Sequence, residues 1–212
     1  MAHTTEVERQ RDRERTRAEI LEVATCEFAE HGYSGARVDE IAERTRTTKR
    51  MLYYYFGSKE GLYTEVLECA YAEIRAAEQT LDVEHLDPLA AIRRLAELTF
   101  DHHEAHPNFI RLVSIENIHR AEHMHASGGF ADLNMPAIER IARILERGRA
   151  DGTFTRDADA VDVHMIISAY CVFRVANRYT WRTLFSRDLL DPHTREHYRA
   201  MLGDIVVDYL TG

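Results

Sequence analysis

Apolar residues recur every three or four positions along almost the whole chain, and this spacing restricts the fold more than any other feature. Near the N-terminus, one helical face is marked by Ile20, Ala24 and Phe28. Gly32 follows, and glycine suits the left-handed conformation that ends many helices. Signals for β-strands are weak throughout. The chain is therefore predicted to be all-α.

Helix boundaries are marked by capping residues and prolines. Asp87-Pro88 and Asp191-Pro192 each combine an N-cap residue with proline at the first helical position. Ser58 is suited to cap a long helix that has Glu60 in its first turn. About nine helices are predicted, at approximately residues 16–30, 38–45, 48–55, 59–80, 88–105, 108–125, 136–148, 158–184 and 192–210.

Composition excludes several classes of protein. Hydrophobic residues make up 45% of the chain, which is enough to build a sizeable core. No apolar run approaches the length of about eighteen residues that a membrane span needs, and the charged N-terminus does not resemble a secretory signal. The three cysteines are isolated in apolar helical patterns and are predicted to be reduced, buried thiols. A cytoplasmic location without membrane contact is expected.

Charge is unevenly distributed along the chain. The formal net charge is -9, which by itself argues against binding to nucleic acid. The window from Arg44 to Lys59 nevertheless holds five basic residues, both lysines of the chain among them, and no acidic residue. A basic patch on an acidic body is typical of a DNA-binding head attached to a sensing domain.

The same window has the organisation of a helix-turn-helix. The second and third predicted helices are joined by about three residues, as this motif requires. The second helix of such a motif enters the major groove of DNA. Here that helix offers Thr48 as a cap, Arg50 as a donor to guanine and tyrosines that can hydrogen-bond phosphates.

Two sequence blocks carry a family resemblance. Val38–Glu43 and Lys49–Leu62, preceded by Phe28, Gly32 and Tyr33, resemble the signature of the TetR/AcrR family over about residues 16–65. The resemblance implies a homodimeric, ligand-responsive transcriptional regulator. It also implies contacts to double-stranded operator DNA by Arg37, Thr48, Lys49, Arg50, Met51, Tyr53, Tyr54, Tyr55 and Lys59.

Some positions depart from the family pattern. Leu52 and Phe56 match its core positions, but Arg46 stands in the turn where the family often has glycine. Thr47 replaces an apolar residue, and Arg37 replaces a threonine cap. A residue other than glycine is strained at a positive φ, so the turn is expected to be slightly reshaped.

Three regions are predicted from these patterns. Residues 1–15 form a flexible, arginine-rich arm, residues 16–62 the DNA-binding domain, and residues 63–212 a helical domain for ligand binding and dimerisation. By the resemblance, the last two helices of each subunit pair in a four-helix bundle. The side chains predicted to form this interface are Val172, Ala176, Tyr179, Met201, Ile205, Val206 and Tyr209.

The expected effector site lies in the third region. The segment His106–Leu112, followed by Glu116–Arg120, resembles a subgroup connected with the breakdown of nitrogen-containing heterocycles and related aromatic compounds. A small aromatic or heterocyclic effector is therefore expected, with Arg120 or Arg174 as a possible source of charge. The predicted ligand-binding residues are Phe100, His103, Phe109, Leu112, Glu116, Asn117, His119, Phe173 and Asn177, with Phe130 and Trp181 as further wall residues.

Three other functions remain open at this point. Six histidines between His102 and His125 suggest a metal-responsive regulator, although solvated or hydrogen-bonded histidines are the simpler interpretation. A metal-dependent helical enzyme is the second alternative, but no phosphate loop, GxSxG or HExxH motif occurs. A DNA-binding protein that ignores ligands is the third. The favoured prediction is a repressor released from its operator by a small molecule, with no catalytic residue, cofactor or metal site.

Overall fold

The computed structural model describes the backbone of residues 2–212 and their side chains, except those of residues 2–7, 9 and 126. All regular structure in this part of the chain is helical, so the all-α prediction is confirmed. The helices are α1 (Ala2–Gly35), α2 (Val38–Arg44), α3 (Lys49–Phe56), α4 (Lys59–Gln79), α5 (Pro88–Ala105), α6 (Pro107–Ile118), α7 (Glu122–Ser127), α8 (Phe130–Ala150), α9 (Ala160–Ala176), α10 (Arg178–Phe185) and α11 (Arg195–Thr211), with a 3₁₀ turn at Pro192–Thr194.

Two predicted helices are each divided in the structure. The helix predicted over about residues 108–125 becomes α6 and α7, because Arg120 and Ala121 between them adopt positive φ values of 60° and 56°. The helix predicted over about residues 158–184 becomes α9 and α10. Asn177 lies at that break, where its side chain hydrogen-bonds the carbonyl of Phe173. Local hydrogen bonds of this kind compete with a continuous helix.

The N-terminal arm also differs from expectation. The structure continues α1 back to Ala2, whereas residues 1–15 were expected to be flexible; the first of these lies outside the described residues. Ion pairs along the helix support the longer form, such as Arg15 with Asp12 at 3.0 Å. Near its other end, α1 contains a break at Gly32 (φ 69°, ψ 174°), where the sequence predicts the helix to stop.

The chain divides into two compact units. The first unit comprises Met1–Ala70 with Arg111–Gly128, and the second comprises Tyr71–Ile110 with Gly129–Gly212. The division therefore falls inside α4, later than the predicted boundary just before Tyr63. Motif patterns locate the end of a helix-turn-helix, but packing decides where a compact unit ends, and the beginning of α4 is buried within the first unit.

Packing in the first unit begins with α1 against α2 and α2 against α3. Ile20, Phe28 and Ile41 are fully buried. The ring of Phe28 meets that of Tyr63 edge to face, with centroids 4.8 Å apart. Aromatic pairs in this arrangement add to the free energy gained from burial alone. This core fixes the short helices α2 and α3, which are too short to be stable in isolation.

Helix α5 lies at the centre of the second unit. It packs against α8, α9 and α11, and α9 also contacts α8, α10 and α11. Ile92, Leu95 and Phe100 of α5 join Ile167 and Leu202 in one continuous apolar core. Burial of such side chains stabilises a fold by about 1.5–3 kcal/mol each.

An acidic edge of α5 binds arginines from two other helices. Arg174 of α9 donates to Glu104, and its guanidinium lies 3.9 Å from the centroid of the Phe100 ring. The full set of partners is Glu97, Asp101 and Glu104 on α5, with Arg174 on α9 and Arg195 and Arg199 on α11. These ion pairs fix α9 and α11 to α5 in addition to the apolar contacts.

The connection between α8 and α9 is closed by an aromatic ring. A Cβ atom on Gly148 would lie 2.1 Å from the ring of Phe154, so only glycine leaves room for that ring. The backbone N–H of Phe154 donates to the carbonyl of Gly148 at 2.9 Å. Phe154 is buried in the core of the second unit as a result.

Two features of the described helices bear on membrane insertion. No single helix there is long and apolar enough to cross a bilayer. The pair of α9 and α10 meets the length and composition criterion when taken together, but its two helices are bent by 67°. Val163, Ile167 and Cys171 of α9 are buried in the core of the second unit.

Val206 belongs to this core, and its prediction as an interface residue is wrong. Its side chain is 0% exposed and packs inside its own chain. We expect Val206→Glu to lower the free energy of unfolding by at least about 3 kcal/mol, since it places an unpaired carboxylate among apolar residues. Urea unfolding followed by circular dichroism measures this change. A Val206→Glu protein with wild-type stability would contradict the placement of Val206 in the core.

Candidate functional site

The turn between α2 and α3 has the hydrogen bonds of a Schellman motif. Thr47 N–H donates to the Ala42 carbonyl at 3.0 Å, and Arg46 N–H donates to the Glu43 carbonyl at 3.1 Å. Arg46 occupies the left-handed position of the motif with φ 52°. This is the position where a glycine is commonest, so the turn keeps its geometry and Arg46 carries the backbone strain.

Helix α3 has one buried face and one exposed face. Its N-cap is Thr48, whose hydroxyl accepts a hydrogen bond from the N–H of Met51 at 3.3 Å. Leu52 and Phe56 point into the first unit and are buried, as their match to core positions of the family pattern implies. The side chains left on the exposed face are Lys49, Arg50, Met51, Tyr53 and Tyr54.

The exposed face of α3 combines cations with aromatic rings. Tyr54 is 67% exposed, and its ring lies 5.6 Å from that of the half-buried Tyr55. Lys49 is paired with Asp39 of α2 at 3.2 Å, which offsets part of its charge. Arg50 is exposed and makes no ion pair among the described residues. The guanidinium of Arg50 is thus available to donate hydrogen bonds to another molecule.

Two other predicted DNA contacts are tied to the first unit by hydrogen bonds. Lys59 donates from Nζ to the Ala36 carbonyl at 2.6 Å, and its ammonium lies 5.0 Å from the centroid of the Tyr33 ring. Burial lowers the pKa of Lys59 below its usual value. Arg37 is exposed, and its backbone N–H is held by Glu27. Lys59 therefore supports the junction of α1, α2 and α4 as well as carrying charge.

Glu27 is a site residue that the sequence analysis missed. It is only 5% exposed, and its Oε1 accepts from the N–H of Arg37, the N-cap of α2, at 3.0 Å. Its Oε2 lies 3.6 Å from the guanidinium of Arg44 at the other end of α2. A carboxylate on the same helical face as Ala24 and Phe28 is the signal that could have revealed it.

We expect Glu27→Ala to lower the free energy of unfolding by about 1–3 kcal/mol, because the partly buried N–H at the start of α2 loses its acceptor. Exposed Glu30, one turn further along α1, supplies the matched control, and Glu30→Ala should change stability by less than about 0.5 kcal/mol. Chemical denaturation of the three proteins tests this. Equal stability of the two variants would rule out a structural role for Glu27.

The predicted effector residues fall into different places. In the second unit, Phe100, His103 and Phe109 are buried, and His103 and Phe109 meet edge to face with centroids 5.4 Å apart. Phe130 and Trp181 also belong to this unit. Phe173 is 43% exposed, and its ring contacts that of Trp181 at 5.2 Å. Phe100 packs in the main core and beneath Arg174.

The predicted pocket residues at the end of α6 and directly after it do not share one surface. Leu112 and Glu116 are buried in the first unit, whereas Asn117 and His119 are exposed. Asn117 donates from its side chain to the carbonyl of Val113. Glu116 and His119, both predicted to bind the ligand, therefore do not point at one pocket, because Glu116 is buried on α6 and His119 is exposed directly after it.

Glu116 instead closes a buried cluster in the first unit. One of its carboxylate oxygens accepts from the Tyr63 hydroxyl at 2.9 Å and lies 3.1 Å from Nδ1 of His123. Burial and the hydrogen bond to Glu116 raise the pKa of Tyr63. The His123 ring also contacts Tyr33 at 4.3 Å. This cluster joins the end of α1, α4, α6 and α7.

Neither arginine suggested as an effector anchor is favourably placed. Arg174 is buried, but it already donates to Glu104 and to the Leu189 carbonyl. Arg120 is exposed in the break between α6 and α7. Asn177, the remaining predicted ligand residue, lies in the break between α9 and α10.

The predicted interface residues vary in exposure. Tyr179 and Ile205 are exposed, at 70% and 41%, and Ala176 is exposed as well. Val172, Met201 and Tyr209 are half-buried within the chain. With Val206 in the core, the remaining set lies on α9, α10 and α11.

Histidines of α5 and α9 form a polar group inside the second unit. Burial lowers the pKa of His103 to about 3 and that of His102 to about 4, and the positive charge of Arg75 acts in the same direction. Burial and Arg75 also lower the pKa of His164. All three imidazoles are therefore neutral at physiological pH. Among the described residues, no group of three His, Cys, Asp or Glu side chains is arranged to hold a metal ion.

These depressed values predict that acid destabilises the protein. An unfolded histidine titrates near pH 6.5, so His102 and His103 stabilise the fold fully above that pH and lose this contribution as pH falls toward 4. Each is expected to contribute about 1.4 kcal/mol per pH unit over that range. Urea unfolding between pH 7.5 and 5 measures the slope, and His103→Phe should reduce it. An unchanged slope in His103→Phe would contradict the neutral state of His103.

Two sequence profiles match the chain. The profile for bacterial regulatory proteins of the tetR family matches residues 20–66, which include α2, α3 and the exposed face of α3. The profile for the tetracyclin repressor-like C-terminal domain matches residues 88–206.

Individual proteins agree with these profiles. The transcriptional repressor NicS of Pseudomonas putida is 32% identical over 194 residues, which is 92% of each chain. Two solved structures share the fold: KstR2 of Mycobacterium tuberculosis (TM-score 0.69, 23% identity, 92% of this chain and 95% of that chain) and a regulatory protein from Rhodococcus RHA1 (TM-score 0.73, 18% identity, 92% and 97%). The chain belongs to the TetR family of transcriptional regulators.

Proposed function

We propose that this TetR-family regulator is a homodimeric repressor that binds operator DNA through α3 and leaves it when a small molecule binds the second unit. The observation that carries the proposal is the division of α3 into a face buried by Leu52 and Phe56 and an exposed face of cations and tyrosines. The similarity to NicS, a transcriptional repressor, supports repression.

The exposed face of α3 suits a major groove. Thr48 at the helix N-terminus offers a hydroxyl and the positive end of the helix dipole to phosphate. Arg50 and Met51 are exposed on α3 and would face base edges, where arginine pairs with guanine and a methionine packs against a thymine methyl group. Tyr54 offers a hydroxyl to phosphate. Phosphate contacts position the helix, and base contacts select the sequence.

Dimerisation is supported by an apolar stripe along α9. Val161, Met165 and Phe173 are exposed at 57%, 60% and 43%, and Ala169 and Ala176 continue the same helical face. A stripe of this length on a surface helix is costly to leave in water. A second copy of the chain, packed with its own α9 and α11, would cover it. Exposed Ile205 on α11 belongs to the same proposed interface.

Effector control requires only a modest coupling free energy. A ligand that binds the DNA-free form about 5–150-fold more tightly supplies about 1–3 kcal/mol, which is enough to change operator occupancy. The second unit contains neutral histidines beside an arginine in its interior, and such groups are suited to orient a small ligand. This is consistent with the typical behaviour of the family.

Operator binding tests the role of α3. We expect Tyr54→Ala to weaken binding to every DNA sequence and Arg50→Ala to change base preference, at a cost of about 1–3 kcal/mol for the preferred site. Gel-shift titrations with DNA from upstream of the gene, at several salt concentrations, measure both effects. Arg182→Ala removes an equal charge from exposed α10 and should leave affinity unchanged. Wild-type affinity in both α3 variants would exclude α3 as the recognition helix.

The dimer interface is tested by charge insertion. Ile205→Glu places a carboxylate on the exposed side of α11, so the chain should stay folded but dissociate to a monomer. The wild type should have about twice the 24.5 kDa mass of one chain in size-exclusion light scattering. Ala131→Glu adds the same charge at an exposed position on α8 and should leave the dimer intact. A dimeric Ile205→Glu protein would remove α11 from the interface.

A further inference from the structure

The interior of the second unit holds polar atoms that lack partners. Arg75, His102 and His103 are 6%, 8% and 4% exposed. Within the described part of the chain, Nε of Arg75, Nε2 of His102 and Nδ1 of His103 are buried without a hydrogen-bond partner. A buried polar group left in this state costs about 1–3 kcal/mol, so three together require a physical explanation.

Aromatic rings from three other helices form a chain of contacts that begins at these histidines. The ring of Tyr71 on α4 meets Phe109 on α6 at 5.1 Å and Phe130 on α8 at 5.6 Å, edge to face in both cases. Phe109 in turn meets His103 at 5.4 Å and His102 at 6.4 Å, also edge to face. Phe109 therefore connects the two histidines of α5 to the rings of Tyr71 and Phe130.

Arg75 produces a positive field at the histidines, although Glu78 balances its formal charge. Nη1 of Arg75 lies 3.0 Å from Oε2 of Glu78, which neutralises part of its charge. The remaining positive field of Arg75 still disfavours protonation of His102, His103 and His164. Burial also lowers the pKa of Arg75 itself and raises that of Glu78, as expected for charges held away from water. An anion would gain from this field, whereas a cation would be repelled.

We propose that Arg75, His102 and His103 form the anchor of the effector site and that they bind the carboxylate of a small aromatic acid, whose ring packs against Tyr71, Phe109 and Phe130. The proposal rests on the effector-controlled function proposed above. The guanidinium Nε–H of Arg75 donates to one carboxylate oxygen. Each histidine, as the tautomer with its proton on the unpartnered nitrogen, donates to the other oxygen or to a polar substituent of the ring.

Simpler occupants account less well for the arrangement. Water can satisfy each nitrogen separately, but it gives no role to the rings of Tyr71, Phe109 and Phe130. A metal ion fits poorly, because His102 and His103 are adjacent on α5, with ring centroids 6.2 Å apart and planes 73° apart. Arginine beside the histidines also favours an anion over a cation.

Calorimetric titration of the full chain tests the chemistry of the ligand. The probes are benzoate and phenylacetate, each compared with its neutral amide, and hexanoate as an acid without a ring. We expect the aromatic acids to bind at least about ten-fold more tightly than their amides, since a charge-assisted hydrogen bond contributes more than a neutral one. Hexanoate should bind more weakly than benzoate because it lacks the edge-to-face ring contacts.

Substitutions test whether Arg75 and His103 bind the ligand. Arg75→Gln and His103→Phe should each weaken benzoate binding at least about ten-fold, and His103→Phe keeps an aromatic ring so that packing is preserved. His119→Phe and Arg182→Gln change exposed residues outside the group and should bind benzoate as the wild type does. Thermal melting and operator binding of every variant, without ligand, establish that each protein is folded and functional.

The outcomes separate the anchor from the proposed function. If neither acid binds, if the amides bind equally well, or if His103→Phe and Arg75→Gln bind benzoate like the wild type, the anchor is overturned, even when operator binding is intact. A wild-type protein that does not bind operator DNA in the absence of ligand would instead overturn the repressor proposal. Tight binding of acids that depends on both residues, with release of DNA by benzoate, supports the two together.

Discussion

The second unit depends on α5, because three other helices pack against it. Two of these helices, α9 and α11, also form ion pairs with it. Its apolar face supplies the core, while Glu97, Asp101 and Glu104 form ion pairs with arginines. The buried Arg174 shows how closely the two are linked, since it packs on the ring of Phe100 and pairs with Glu104. A buried guanidinium that lost this carboxylate would be strongly destabilising. The register of α9 on α5 is therefore set by a charge as well as by side-chain shape.

The first unit contains two short helices that depend on contacts with the rest of the unit. Helices α2 and α3 are only seven and eight residues long, and helices of that length are not stable alone. Their apolar residues supply part of the answer. Glu27 supplies another part, because it binds the backbone at the start of α2 and approaches Arg44 at its end. The surface offered by α3 thus depends on a carboxylate buried on α1.

Much of this organisation is predictable from local sequence. The caps at Thr48 and Asp87 are determined within a few residues, and both were correctly placed. The burial of Leu52 and Phe56 agrees with their match to core positions of the family pattern. The break between α6 and α7 was harder to predict, because Arg120 and Ala121 are not residue types that commonly adopt a left-handed conformation.

Interactions between distant parts of the chain were not predictable in the same way. Arg75 and His102 are separated by 27 positions in sequence, and nothing in the local pattern of either helix shows that one acts on the other. Val206 and Ile205 illustrate the same limit on a smaller scale. Both are apolar and adjacent on α11, and only the packing against α5 decides which one is buried.

The left-handed Arg46 has a consequence for how the protein responds to ionic strength. Its backbone strain, about 1–2 kcal/mol, is the same in any buffer. Its positive charge lies in the basic window beside α3, and the attraction of that charge for a polyanion fades as salt shortens the Debye length to about 8 Å and below. Glycine at this position would relieve the strain at every ionic strength, but it would remove a charge whose attraction for a polyanion is strong only at low salt.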